Sequence, residues 1–103
     1  MARKPDAGGE VLEKTKTKAR HPDLFRVILH NDDYTTMEFV IRILQTVFNK
    51  EAPEAYRIML LVHTQGRGVC GVYTWEVAET KAAAVVAMAQ QAGFTLRAIV
   101  EDV

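Results

Sequence analysis

The chain predicts a small α+β domain, and three observations carry that prediction. Short runs rich in β-branched and aromatic residues recur at the beginning, middle and end of residues 23–103. Amphipathic stretches with three- and four-residue spacing lie between them. Glycine, proline or Asn/Asp clusters mark most of the junctions. The resulting order is β-α-α-β-α-β. Three strands are too few to enclose a core, so three helices are expected on one face of a small three-stranded antiparallel sheet.

Each element has its own local reason. Leu24 to His30 is an apolar run that reads as a strand and stops at Asn31-Asp32-Asp33. A helix follows from Thr36 to about Asn49, with Met37, Val40, Ile41, Leu44, Val47 and Phe48 on one side. Thr35 and Glu38 stand in the T-x-x-E relation of a capping box, so Thr35 is expected to cap it. Pro53 suits the first turn of a second helix, which runs to about Thr64 and closes at Gly66. Arg67 to Thr74 reads as the second strand. Its glycines, Gly68 and Gly71, predict a bulge or a close backbone approach. Trp75 to Ala92 is an alanine-rich helix ending at Gly93, and Phe94 to Val100 is the last strand.

Composition narrows the class. A chain of 103 residues allows one domain with a modest core. No apolar run approaches the roughly 20 residues of a membrane span. The first nine residues lack the apolar stretch of a secretory signal. The one cysteine, Cys70, leaves no internal disulfide framework and suits a reducing cytosol, so a cytoplasmic location is expected. Thirteen basic side chains balance thirteen acidic ones, which gives no bulk attraction to nucleic acid. The balance is uneven, however. Residues 1–20 carry Arg3, Lys4, Lys14, Lys16, Lys18 and Arg20 against Asp6, Glu10 and Glu13, a net of +3. With few large apolar residues to offset ordering entropy, residues 1–22 read as a disordered basic tail preceding a core domain over 23–103.

The chemistry concentrates in two places. Asn31, Asp32 and Asp33 are short polar side chains held between a strand end and a helix start. On the second helix, Met59, Val62 and His63 share a face at i, i+3 and i+4. If that face meets Met37 and Val40, the two stripes enclose an apolar pocket rimmed by Asn31, Asp33 and His63. Such a pocket fits a ligand with an apolar body and an ammonium head. The ammonium presents three donors, matched by the Asn31 amide oxygen, a neutral His63 ring nitrogen and the Asp33 carboxylate, directly or through water. Acetylation would leave those acceptors unpaired, at about 1–3 kcal/mol each if buried. Met37 at the entrance would clash with a β-branched ligand side chain.

Every one of these features also has a plainer structural reading. Apolar residues at helical spacing are usually core, and an Asn-Asp-Asp turn is ordinary capping chemistry. An enzyme using His63 and Asp33 as acid and base lacks a nucleophile, since Cys70 lies in an apolar strand and the chain has no serine. A metal site from His30, Asp32, Asp33 and His63 is awkward, because neighbouring strand residues point to opposite faces. A ribosomal or RNA-associated module of similar size would need basic–aromatic strands that are not there.

Taken together, several separated stretches resemble the ClpS family, adaptors of the ClpAP protease that recognise N-degrons of the N-end rule. They are Asn31-Asp-Asp-Tyr-Thr-Thr-Met-Glu-Phe-Val40, Met59-Leu-Leu-Val-His63 with Gln65-Gly66, Cys70-Gly-Val-Tyr-Thr74, and Glu76-Val-Ala-Glu-Thr-Lys81. The resemblance covers residues 23 to 103 and implies a non-enzymatic adaptor that needs no cofactor. By position it implies that Asn31, Asp33 and His63 hold the substrate α-amino group. Asp32 and Thr35 would flank the substrate backbone, and Met37 would act as gatekeeper. Val40, Met59, Val62 and Leu96 would line the pocket for a first Leu, Phe, Tyr or Trp. Glu76 and Lys81 would dock on the N-terminal domain of the ClpA unfoldase, and the basic tail would help hand substrate over. Thr36 stands where the family commonly has proline, and Trp75 where it commonly has a smaller residue.

Overall fold

A computed structural model describes residues 23–103; the basic tail expected over residues 1–22 lies outside the described residues. The elements are β1 (Phe25–His30), α1 (Met37–Thr46), α2 (Ala52–Gln65), β2 (Arg67–Tyr73), α3 (Trp75–Ala92) and β3 (Arg97–Asp102). Both β2 and β3 pair antiparallel with β1, giving the sheet order β2-β1-β3. The class, the element order and the antiparallel sheet are those the sequence predicts.

Strand alternation sorts the central strand into two faces. Val27 and Leu29 point into the core shared with Ile43 and Leu44 of α1, Ile58 and Val62 of α2, and Val85 of α3. Arg26, Ile28 and His30 take the other face. There Arg67 of β2 donates to both carboxylate oxygens of Glu101 of β3, at 3.0 and 3.1 Å, and so bridges the central strand. Burying one Leu, Ile or Val side chain stabilises by about 1.5–3 kcal/mol, whereas an exposed ion pair contributes about 0–1 kcal/mol. The helix-covered face therefore holds the fold together.

The glycine prediction in β2 is met in both its forms. The β1–β2 register slips between Val27 and Ile28, which pair with Gly71 and Val69, so Cys70 is the extra residue of a bulge. A Cβ on Gly68 would lie 2.9 Å from Val62 Cγ2, so α2 rests directly on the strand backbone there.

Two elements differ from the sequence reading by more than one residue at an end. The last strand begins at Arg97 rather than Phe94, because Phe94 N–H still donates to Ala89 O at 2.8 Å and belongs to the closing turn of α3. It extends to Asp102, which pairs with Phe25. The first helix ends at Thr46, three residues early. Val47 caps it, Lys50 N–H returns to Leu44 O at 3.0 Å, and Asn49 takes φ 56° in the turn to α2.

Candidate functional site

The loop between β1 and α1 is organised by Asp32. Its Oδ1 accepts from the backbone N–H of Tyr34 at 2.8 Å and of Thr35 at 2.7 Å, and its Oδ2 from the Thr35 hydroxyl at 2.8 Å. Burial acts to raise the Asp32 carboxyl, but the bonds from Thr35 and Tyr34, with the Thr95 hydroxyl, together hold it below its ordinary value. This arrangement corrects the expected capping box. The carboxylate is a stronger acceptor than a hydroxyl and draws Thr35 into the loop. Thr36 then becomes the cap, extended at φ −75° and ψ 154°, its Oγ1 accepting from Phe39 N–H at 3.1 Å. Glu38 therefore has no reciprocal capping position.

A second contact brings α2 to this loop. Gly66, in the left-handed conformation at φ 88°, ends α2 and returns its N–H to Val62 O at 3.1 Å. The Gly66 carbonyl then accepts from Asn31 N–H at 3.0 Å. His63, in the last turn of α2, is thereby set beside the strand end that carries Asn31.

The result is a cavity of about 480 Å³ lined by Asn31, Asp32, Asp33, Tyr34, Thr35, Thr36, Met37, Glu38 and His63. Six residues singled out from the sequence meet there: Asn31, Asp32, Asp33, Thr35, Met37 and His63. Tyr34, Thr36 and Glu38 join the lining without having been expected as binding residues, although they belong to the same loop and helix turn. Met37 is 45% exposed at the mouth. Val40, Met59, Val62 and Leu96 do not line this cavity and are buried in the core cluster. Helical spacing nevertheless keeps Val40 one turn from Met37, and Met59 and Val62 beside His63. Chemically the cavity offers acceptors and carboxylates without a Lys or Arg among its lining residues, which suits a donor-rich cation.

Cys70 is buried, and burial pushes its thiol up to about 12, far from a reactive thiolate. Among the described residues, no three His, Cys, Asp or Glu side chains are grouped to hold a metal ion. His30 Nε2 is buried without a hydrogen-bond partner among the described residues.

The expected docking residues lie on α3. Glu76, in its first turn, lies with Val77, Thr80 and Lys81 along a shallow surface depression. Lys81 is engaged internally as well. Its Nζ donates to Val47 O at 2.8 Å, at the end of α1, and stands 5.3 Å from the Tyr73 ring and 5.9 Å from the Phe48 ring.

Comparison with known proteins agrees with this architecture. Residues 20–99 match the family model described as "ATP-dependent Clp protease adaptor protein ClpS". A relative from Desulfatibacillum aliphaticivorans, the ATP-dependent Clp protease adapter protein ClpS, is 59% identical over 93 residues, covering 90% of this chain and 89% of its own. The protein of that name from Nitratidesulfovibrio vulgaris strain Miyazaki F is 54% identical over 99 residues, covering 96% of this chain and 99% of its own. Among solved structures, Agrobacterium tumefaciens ClpS2 bound to L-phenylalaninamide superimposes with a TM-score of 0.78 at 37% identity, covering 81% of this chain and all of the other. The chain belongs to the ClpS family of adaptors of the ATP-dependent Clp protease.

Proposed function

We propose that this adaptor binds the free α-amino group and large hydrophobic first side chain of N-degron substrates, and delivers them to the ClpA unfoldase of the ClpAP protease. The supporting observation is the cavity that gathers Asn31, Asp33 and His63 beside Met37. Asn31, Asp33 and neutral His63 accept from the ammonium, while Asp32 and Thr35 shape the loop beside the substrate backbone. Val40, Met59, Val62 and Leu96 form the apolar seat for Leu, Phe, Tyr or Trp, reached when the first side chain passes Met37. The related A. tumefaciens protein bound to L-phenylalaninamide, a ligand with an α-amino group and an aromatic side chain, supports the same reading. No bond is made or broken in this role, so the protein acts as a binding module rather than an enzyme. Its partner is the N-terminal domain of ClpA, met through the α3 surface of Glu76 and Lys81, and its setting is the cytoplasm.

The test is fluorescence anisotropy with two labelled peptides that differ only at the amino terminus, one starting with Phe and one with acetyl-Phe. Acetylation removes the charge and most of the donors, so affinity is expected to fall by at least about fivefold for one unpaired buried acceptor. Equal affinity for the two peptides would refute the reading.

A further inference from the structure

A second hollow lies where the core domain begins and α3 starts. It measures about 550 Å³ and is lined by Asp23, Phe25, Thr74, Trp75 and Glu76. Phe25 and Trp75 meet edge to face, with ring centroids 5.2 Å apart and planes inclined by 69°. Phe25 thus braces the indole, yet Trp75 remains 48% exposed. An aromatic side chain held in place but left open to solvent is the usual form of an interface anchor.

The charges around it select a cation. Two carboxylates, Asp23 and Glu76, share the lining with the rings, and no Lys or Arg appears among the described lining residues. The N-terminus of α3 opposes a cation with about half a positive charge, which two full negative charges outweigh. A cationic side chain fits both parts of this lining. Its aliphatic stem and charged head pack against the indole face, and its N–H groups reach the carboxylates. Glu76 is shared with the adjoining depression of Val77, Thr80 and Lys81, so the hollow is continuous with the proposed docking surface.

We infer that this hollow receives an arginine or lysine side chain of the unfoldase domain, with Trp75 as the anchor; the inference rests on the docking reading above. Trp75 is the only tryptophan in the chain, so its emission reports the site directly. The full chain is titrated with acetyl-arginine amide and with acetyl-glutamine amide, neither of which has a free α-amino group for the other cavity. Arginine is expected to change the emission, less so in high salt and several-fold more weakly in Asp23→Asn, whereas glutamine leaves it unchanged. An equal response to the two amides overturns the proposal.

The second arm uses the isolated N-terminal domain of ClpA in calorimetric titrations. Trp75→Ala is expected to weaken its binding about fivefold and Trp75→Phe less, while affinity for the Phe-peptide stays unchanged in both. If Trp75→Ala binds the domain like the parent while Glu76→Gln does not, this proposal falls and the docking reading stands. If the parent chain does not bind the domain at all, the docking reading itself falls.

Discussion

The Asn31 amide donates to the carbonyl of Gly66 at 3.0 Å, tying the end of β1 to the end of α2. One backbone bond therefore fixes the distance between the two halves of the candidate site, the Asn31–Asp33 loop and His63. It depends on Gly66 holding φ 88°, a conformation costly for any residue with a Cβ.

Gly66→Ala tests that dependence. A Cβ there would meet no atom within 4 Å, so the effect is conformational rather than steric. The variant is expected to lose about 1–2 kcal/mol of stability, read as a lower urea midpoint at unchanged slope. Its affinity for a Phe-peptide should fall as well, since His63 and Asn31 lose their common reference. Unchanged peptide affinity in a destabilised but folded variant would show that the bond does not position the site.

Met37 gives a cleaner test, because it is the first residue of α1 and nearly half exposed. Truncating an exposed side chain costs within about 0.5 kcal/mol, so Met37→Ala should remain fully folded. Peptides starting with Ile or Val are expected to bind the variant and not the parent. If they still fail to bind, Met37 does not screen the first side chain.

The fold was legible because hydrophobic periodicity and turn residues agree along this chain. Pro53, Gly66 and Gly93 lie at or next to helix ends, and Gly68 and Gly71 flank the bulge. The capping residue was not legible. Thr35 and Thr36 are chemically alike, and the choice between them was made by the Asp32 carboxylate, a competition that the T-x-x-E pattern does not contain. The rim of the site could be read because Asn31, Asp33 and Met37 lie in one short segment. Sequence spacing could not separate apolar residues that line a cavity from those packed behind it. Val40, Met59, Val62 and Leu96 are buried, while Met37, at the same helical spacing, is open. The contribution of Thr95 to the Asp32 cluster had no signal at all, since it comes from a loop more than sixty residues away.

The Asp32 cluster makes stability depend on acid. Its carboxyl titrates below the ordinary value of 3.8 in the folded protein. The stabilisation is thus present above the unfolded value and lost as pH falls through the folded one. Thr35→Val removes the hydroxyl donor to Oδ2 and nearly preserves shape. Urea midpoints of parent and variant are expected to differ at pH 7 and to converge as pH falls through the folded-state value, once Asp32 is protonated in both states. A difference that persists unchanged in acid would place the effect of Thr35 elsewhere.

Lys81 is expected to matter for folding as well as for docking. Its ammonium donates to the Val47 carbonyl at the end of α1 and lies near two aromatic rings, so one side chain joins α3 to the helix that carries Met37. A charged hydrogen bond contributes about 1.5–3 kcal/mol and an exposed cation–π contact about 0.5–1 kcal/mol. Because Lys81 is half-buried, the lower ends apply, and Lys81→Met should lose about 2 kcal/mol. Arginine can reach the same carbonyl and stack on the same rings, so Lys81→Arg should restore most of that loss. Urea unfolding separates the two roles. A Met variant as stable as the parent that still fails to bind the ClpA domain would make Lys81 a contact residue alone. A destabilised Met variant rescued by arginine in both stability and binding would make it the clasp on which the docking face is built.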